Sequence, residues 1–406
     1  MNVSVFSILS PAILALLLAG CSGDKPVQVE REDLFTLDIG RQEDQIALYG
    51  LDGDQGIPRV DISMRDGLFY IADGNGEKIV RYNSYGDLLF MIYNEETNPV
   101  PLSLRPMQEG GVVTRWTFDY PFLEPSKIAV NSRKHIYASD KLPPERHGFD
   151  TENKALLDSI VLHFDEKGDI IEYLGQEGKG GSPFPRITGI HTSVQDEFAV
   201  VCRLPKGWNI YWFDADGTVL FLVPLSEQAG PVPHDRETAI SSVDSLFIAP
   251  DERKIYFKVD YYRDTYDEST GLRTGNEPDS SVIWIMNVED GSYAGSMEIP
   301  LFEYTFTENN RRVTEKMFYS FLGVMRGGRV FLSFPVEGGY SLLIMSSEFA
   351  TNNEQRQGFI RVDGEELLFN TFDLSDEGIL SALLLNDWQA KVVWWRTDKL
   401  IGDNNP

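Results

Sequence analysis

The sequence has very little cysteine and histidine, and far less positive than negative charge. Its 406 residues include two Cys and five His, with 36 Lys and Arg against 63 Asp and Glu, so the formal net charge is −27. Two cysteines exclude a disulfide scaffold and the zinc sites that need CxxC pairs. The charge argues against DNA or RNA as a partner, because a phosphate backbone is bound by a positive field.

Long hydrophobic runs and familiar catalytic patterns are also missing. No stretch approaches the roughly 20 consecutive apolar residues that a transmembrane helix needs. The sequence contains no GxSxG, Walker, HExxH or EF-hand pattern. We therefore expect no cofactor and no bound metal. Apolar residues make up 42% of the chain, which is enough for a well-filled core.

The first 20 residues predict a lipoprotein signal peptide. They carry no charged side chain and include an apolar run at 12–19, which is too short to span a bilayer. The Leu-Ala-Gly-Cys sequence ending at Cys21 resembles a bacterial lipobox, which implies cleavage before Cys21 and acylation of its thiol. Residues 21–32 are then a tether, and the chain is expected in the cell envelope, on the periplasmic or outer-membrane side. Cys202 follows an apolar stretch and is expected in the core.

A unit of four short strands repeats along the remaining chain. In the first unit, apolar or alternating stretches at 58–63, 68–73, 78–82 and 87–92 are separated by turns. Similar units span the following ranges: 125–174, 187–223, 245–299 and 321–362. The last unit, 367–395, has only three strands, while an unassigned strand lies at 33–39.

A closed ring accounts for both the missing strand and the spare one. If residues 33–39 pair with the last unit as its fourth strand, the ring closes and the three-stranded last sheet no longer has an exposed edge. The sequence therefore predicts an all-β fold over residues 33–406, a six-bladed β-propeller with four-stranded blades. The alternative is an all-β sandwich followed by a second domain.

Two of the units resemble a known propeller repeat. Pro58, Tyr-Ile-Ala-Asp at 70–73 and Lys-Ile-Val-Arg-Tyr at 78–82 resemble an NHL-type or TolB-like propeller repeat, and the residues at 125–140 are similar. Later units have Cys202, Val259 and Phe334 where that motif favours Ala-Asp. A lipobox followed by a degenerate six-fold propeller is similar to envelope lipoproteins of spirochaetes, a group without an assigned activity. The resemblance implies a fold and leaves function open.

Long insertions fall on one face of the predicted ring. The first-to-second and third-to-fourth turns of the blades share one face, which we call the plain face, and are short except at 346–357. The second-to-third loops and the links between blades share the other, which we call the loop face. It carries the following long segments: 93–121, 141–159, 226–242, 261–280 and 301–316. Because long loops in compact domains are often functional, we predict that the loop face binds the partner, although insertions also accumulate where they are harmless.

One loop-face segment interleaves tyrosines with acids. Tyrosine offers a rigid contact area with a polar tip, so this segment is a candidate contact surface, with a solvated acidic loop as the alternative. His147 and His234 lie in other segments of the same face. The candidate binding residues are Tyr261, Tyr262, Asp264, Tyr266, Asp267, His147 and His234.

Two functions fit these observations. The first is a lipid-anchored, non-catalytic binding or scaffold protein whose partner is an envelope protein or a glycan. The alternative is a metal-assisted propeller enzyme of the lyase or lactonase type, which needs His and carboxylate groups that converge in the central channel. The predicted first strands offer Asp61, His191 and Asp373 for that role.

Overall fold

The computed structural model has the predicted six-bladed β-propeller fold. It describes the following residues: 27–49, 58–106, 115–231, 240–267, 269–308, 311–346, 355–366 and 368–401. Six mainly antiparallel sheets each contain a four-strand unit, and the first strands surround a central channel. Residues 1–26, including the predicted signal peptide and Cys21, and also His234, lie outside the described residues.

The first three blades follow the predicted units closely, and the strands of each run in order from the channel outward. Blade 1 contains Val60–Arg65, Leu68–Asp73, Lys78–Asn83 and Leu88–Tyr93. Blade 2 contains Ile128–Val130, Ile136–Lys141, Ser159–Phe164 and Ile170–Gly175. Blade 3 contains Ile187–Thr192, Phe198–Leu204, Gly207–Phe213 and Val219–Ser226.

The last three blades include longer strands and the closure of the ring. Blade 4 contains Ile240–Ile248, Lys254–Tyr266, Arg273–Asn287 and Tyr293–Ile299. Blade 5 contains Ser320–Met325, Arg329–Val336, Gly339–Ser346 and Arg356–Arg361. Blade 6 contains Phe369–Leu374, Leu380–Leu385, Gln389–Trp395 and, from the other end of the chain, Arg31–Ile39.

The amino-terminal strand closes the ring as predicted. Arg31–Ile39 pairs antiparallel with Gln389–Trp395. The ring also begins earlier than the predicted boundary at residue 33, because Val27–Gln28 pairs in parallel with the outer strand of blade 5. Part of the predicted tether therefore belongs to the propeller.

An ion-pair cluster reinforces this closure. The Glu366 carboxylate is 4% exposed and receives Nη1 and Nη2 of Arg31 at 2.8 and 2.9 Å, together with Nζ of Lys391 at 2.8 Å. Burial opposes ionisation of Glu366, but the hydrogen bonds from Arg31 and Lys391 outweigh it and lower its pKa to about 2. Residues from both ends of the chain thus meet on one carboxylate.

Much of the predicted loop content is in fact β-structure. Because backbone amides and carbonyls near a sheet need partners, insertions with β-favouring residues extend or flank the blades. Added strands lie beside blades 1, 2 and 6: Arg105–Pro106, Trp116–Asp119, Gly178–Lys179 and Gln45–Ile46. Separate hairpins are formed by Gly148–Asp150 with Ala155–Leu157 and by Phe302–Glu308 with Arg311–Met317. The described helical segments are Pro144–Arg146, Gly364–Glu366 and Asp398–Ile401.

The core lies between neighbouring blades. Between blades 6 and 1, for example, Phe69, Val80, Leu383 and Val392 form one buried cluster. Each sheet is covered by a blade on either side, which explains why many second strands read as continuous apolar runs. Cys202 belongs to such a cluster and is fully buried, and burial raises the pKa of its thiol well above the usual value.

The aspartates of the NHL-like motif have a structural use. The Asp73 carboxylate accepts the amide N–H groups of Ala47 and Gly76 at 2.8 and 2.9 Å. Asp140 accepts the Glu124 amide at 2.7 Å, and burial raises its pKa to about 6. Each carboxylate therefore accepts a backbone hydrogen bond from the segment that connects the preceding blade to its own blade.

Candidate functional site

The first strands of all six blades line a narrow central channel. The channel has a volume of about 380 Å³. Asp61, His191 and Asp373, the groups singled out in the sequence, come from blades 1, 3 and 6 and all line it. The structure therefore brings the three predicted channel residues to one cavity.

The two channel carboxylates connect neighbouring blades. Asp61 accepts the Thr371 hydroxyl at 3.1 Å and the Ile128 amide at 3.2 Å, and so joins blade 1 to blades 6 and 2. Asp373 accepts the Met64 amide at 2.8 Å. Burial raises the pKa of Asp373 to about 7, with the Met64 N–H opposing the rise and the Asp61 carboxylate adding to it. These contacts hold the ring together.

The channel histidine is neutral at pH 7. Burial lowers the pKa of His191 to about 4, and the charge of Lys127 acts in the same direction. Its ring packs against Phe247, with centroids 5.2 Å apart. In blade 2, burial likewise lowers the pKa of His163 to about 4, and its Nε2 lies 2.9 Å from Nδ1 of His135. Both strand histidines therefore have packing roles.

On the plain face, polar contacts join the first-to-second turns of the six blades into a closed circle. Every turn touches the next one. The joints, with their distances, are Arg65 to Asp376 (2.8 Å), Asp376 to Arg326 (3.3 Å), the Gly327 amide to Asp251 (2.8 Å), the Val194 amide to the Pro250 carbonyl (2.8 Å), the Ser132 amide to Asp196 (2.9 Å) and Lys134 to Asp66 (3.9 Å). The two arginines on Asp376 make this the most strongly charged joint.

The loop face opens into a large cleft over blades 1, 2 and 3. This loop-face cleft has a volume of about 950 Å³ and lies where the first strands of these blades begin. A second depression of about 450 Å³ adjoins it and shares Lys154, Leu204 and Pro205. Clefts of this size are typical of ligand sites.

The lining of the loop-face cleft is rich in cations. Six basic and three acidic side chains contribute to it. The basic residues are Arg59, Lys127, Lys141, Lys154, Arg186 and Arg203, and the acidic residues are Glu124, Asp140 and Asp158. Some of these charges are internally paired, as in Arg59 with Glu124 and Lys141 with Asp158, at 2.8 and 2.7 Å. The cleft nevertheless carries more positive than negative groups.

Sequence reasoning missed this cleft, although a signal was present. Arg59, Lys127 and Arg186 each stand immediately before the first strand of their blade, so they occupy the same position in three successive units. The ring places those positions side by side at the channel mouth. The hairpin in residues 148–157 overhangs them and adds Lys154 and Leu156 to the lining.

The predicted tyrosine- and acid-rich contact segment is partly buried. Tyr261 is fully buried, and its hydroxyl donates to the Pro231 carbonyl and accepts the Trp284 indole N–H, both at 3.2 Å. Its prediction as a surface contact residue is therefore wrong, because the second strand of blade 4 continues through it with the ring turned inward. Tyr262 is half-buried, and its ring centroid lies 5.2 Å from that of Phe318.

The remaining predicted contact residues divide between two blades. In the extended hairpin of blade 4, Asp264 pairs with Arg273 at 2.9 Å, and Tyr266 is 59% exposed. Asp267 caps the turn, and hydrogen bonds from side chains and amides there lower its pKa to about 2. His147 lies in blade 2, where its Nε2 is 2.7 Å from a backbone carbonyl oxygen of its own loop.

The plain face also has a depression, of opposite charge. It lies between blades 3 and 4, has a volume of about 690 Å³, and is lined by five carboxylates and two cations. Arg253 lies among these groups and pairs with Glu197 and Glu289, at 2.6 and 3.0 Å. The loop-face cleft and this plain-face depression are therefore lined by charges of opposite sign.

Two further observations concern membranes and metals. Within the part of the chain that the structure describes, no helix has the length and apolar character needed to cross a bilayer. In the same part of the chain, no group of three His, Cys, Asp or Glu side chains is arranged to hold a metal ion.

Comparisons with known proteins find similarity at the level of structure alone. No protein-family model matches the chain, and no curated protein matches it. A solved structure of the Dos1 propeller is 8% identical, covers 91% of this chain and 95% of its own, and has a TM-score of 0.38. The β-propeller domain of the Trilobed protease from Pyrococcus furiosus is 11% identical over 86% of this chain and 98% of its own, with a TM-score of 0.38.

Enzymes are also among the similar structures. An α-L-arabinofuranosidase from Fusarium graminearum is 9% identical, covers 92% of this chain and 99% of its own, and has a TM-score of 0.43. At these identities and TM-scores, none of the likenesses carries an argument about activity. The fold is that of a six-bladed β-propeller, as the strand order requires.

Proposed function

We propose that this chain is a non-catalytic binding protein of the cell envelope that holds its partner on the loop face. The observation that carries the proposal is the difference between the two faces. The loop face has a cleft of about 950 Å³ with an excess of cations, whereas the inner turns of the plain face are joined to one another. Because the plain-face turns are engaged with one another and the loop-face cleft is larger than the plain-face depression, we place binding on the loop face.

Anchoring by lipid at Cys21 is the second part of the proposal. It is supported by the lipobox-like sequence and by the short apolar run at 12–19 that precedes it. Five residues separate Cys21 from Val27, where the chain joins blade 5. Since an extended residue spans at most about 3.6 Å, such a tether holds the ring within roughly 20 Å of the membrane surface. The membrane is thus one partner, and an envelope protein is the other.

The extended hairpin of blade 4 is a further candidate contact on this face. Its tip presents Tyr266 with Asp264 and Asp267 to solvent. Exposed tyrosine beside charged groups suits a peripheral contact around a central cleft. We place the centre of binding at the loop-face cleft and give this hairpin a supporting role.

The enzyme alternative finds less support in the channel. Asp61 and Asp373 make hydrogen bonds between blades, and His191 is packed against an aromatic ring. A general acid or base must reach a bound substrate to exchange a proton with it, whereas these groups already make contacts within the propeller. A binding role therefore accounts for more of the observed contacts.

Site-specific photocrosslinking in cells tests the proposal. A photoreactive residue at Lys154 on the loop face is expected to crosslink the partner, whereas the same residue at Asp66 on the plain face is not. The two positions are matched, because both are exposed and both have a positive φ, 53° at Lys154 and 54° at Asp66. Equal crosslinking from the two positions, or crosslinking from Asp66 alone, would contradict the proposal.

A further inference from the structure

The loop-face cleft is a positive site on a negative molecule. It gathers six cations and three carboxylates, while the whole chain has a formal charge of −27. At about 0.1 M salt, charges separated by more than roughly 10 Å are largely screened. A ligand inside the cleft therefore experiences mainly the local charges. Four of the six cations there pair with a carboxylate, whereas Lys154 and Arg186 have no ion pair among the described residues. The cleft is suited to an anion.

Two of the cations face each other directly. The Arg203 amide donates to the Arg186 carbonyl at 2.8 Å, which places Arg186, directly before the first strand of blade 3, opposite Arg203 near the end of the second strand. Both side chains line the cleft. Like charges in this arrangement destabilise a sheet. Glu227, at 2.8 Å from Nη2 of Arg203, compensates for one charge, while Arg186 is exposed with no ion pair among the described residues.

Arg203 also has a donor that is not used within the protein. Its Nη1 is buried and has no hydrogen-bond partner among the described residues. The guanidinium lies over the Trp208 ring, 4.6 Å from its centroid, which fixes its position. The Arg203 side chain as a whole is 27% exposed. A planar guanidinium held in this way binds a carboxylate at its exposed edge with little further loss of conformational freedom, and a small shift of the ligand-bound side chain brings Nη1 into use.

We propose that the cleft binds an acidic peptide segment of a partner protein, with its carboxylates on Arg186 and Arg203. This proposal rests on the loop-face binding function and names its ligand. The surfaces beside the cations come from Leu156, Leu204 and Pro205, which suit the aliphatic parts of an extended peptide. The adjoining depression continues past Leu204 and Pro205, so the path accommodates several residues.

A peptide is favoured over an acidic glycan by the composition of the walls. Sugar rings pack against exposed aromatic faces. Phe369 is the one aromatic residue that lines the main cleft within the described part of the chain. Trp208 lies in the adjoining depression, but this residue is 8% exposed and its ring is covered by Arg203.

Titration calorimetry with hexaglutamate tests the inference on the full chain at about 0.1 M salt. The R186Q/R203Q double variant is expected to bind roughly tenfold more weakly than the wild type, or worse, because two charge-assisted contacts are lost. R186Q alone is expected to weaken binding several-fold and has no described ion pair to disturb. R361Q, which removes an exposed charge from blade 5, is the matched control and is expected to bind like the wild type. Hexaglutamine is expected not to bind.

Three results would overturn the inference. The first is that wild type does not bind hexaglutamate, and the second is that the double variant binds it with unchanged affinity. The third is that trigalacturonate or inorganic phosphate binds as tightly as hexaglutamate, which would assign the site to a glycan or to simple anions. The crosslinking experiment separates this inference from the proposed function. If the partner still crosslinks from Lys154 in the R186Q/R203Q variant, the loop face binds the partner, but the two arginines do not hold an acidic peptide of it.

Discussion

The two faces of this propeller use charged residues in different ways. On the plain face, the first-to-second turns direct their charges toward one another, as Asp376 does when it receives Arg65 and Arg326. On the loop face, Arg186 and Arg203 lie opposite one another, and of the two only Arg203 pairs with a described carboxylate, Glu227. At the inner turns of the plain face, opposite charges are matched and join neighbouring blades, whereas the loop-face cleft contains an excess of cations that suits a ligand.

The largest expected effect is on stability and comes from the plain face. Asp376→Ala leaves two arginines without their shared carboxylate, of which Arg65 is only 15% exposed. We expect the free energy of unfolding to fall by about 2–3 kcal/mol, measured by urea denaturation. Hexaglutamate binding is expected to persist in this variant.

Glu377→Ala is the matched control for that change. Glu377 is 62% exposed and lies 3.5 Å from Arg326, so its removal is expected to cost no more than about 0.5 kcal/mol. If the two alanine variants lost the same stability, the joined turns of the plain face would have no special structural role.

The next largest expected effect is also on stability. It comes from Asp373 in the channel and depends on pH. Because burial raises the pKa of Asp373 to about 7, its ionised form is unfavourable in the folded protein. The contribution of Asp373 to the free energy of unfolding is therefore largest at low pH and declines as pH rises from about 4 to about 7. Asp373→Asn, which can still accept the Met64 amide, is expected to stabilise the protein by about 1–2 kcal/mol at pH 8 and to change little at pH 4.

Thermal unfolding of the wild type and Asp373→Asn at both pH values measures this difference. His191 and His163 have lowered pKa values and contribute with the opposite sign, losing stability as pH falls from about 6.5 to about 4. Their contribution is common to both proteins and cancels in the comparison. A variant that was destabilised at pH 8 would show that the carboxylate is needed in its charged form.

The smallest expected effect is on the affinity of the loop-face cleft for hexaglutamate. Glu227→Gln removes the carboxylate that competes for Arg203, so hexaglutamate is expected to bind about threefold more tightly. The change lies at a half-exposed position and is expected to alter stability by less than about 0.5 kcal/mol. Weaker binding after this substitution would indicate that Glu227 positions Arg203 and does not compete with the ligand.

Much of the fold is predictable from the sequence because strand patterning and turn residues are local. The strands at 68–73 and 78–82, and the closure by the strand at 33–39, follow from the repeat. The length of the second strand of blade 4 does not follow from the repeat. Tyr261 lies in a stretch whose polar residues predict a loop, but pairing with the third strand continues through it.

The site was harder to predict, for a different physical reason. Its cations are separated by up to 144 residues in sequence, from Arg59 to Arg203, and the packing of blades 1, 2 and 3 side by side brings them together. Their shared position before successive first strands was visible in the repeat. Whether a charge is paired, however, depends on contacts such as Arg203 with Glu227, which no local pattern contains.

Hydrogen exchange of the full chain with and without hexaglutamate is the direct test of binding at the loop-face cleft. We expect slower exchange on binding at the start of the first strand and the end of the second strand of blade 3, together with the hairpin at 148–157. The plain-face turns around Arg65, Asp196 and Asp376 are expected to exchange at the same rate in both states. Protection confined to those turns would contradict the assignment of binding to the loop face.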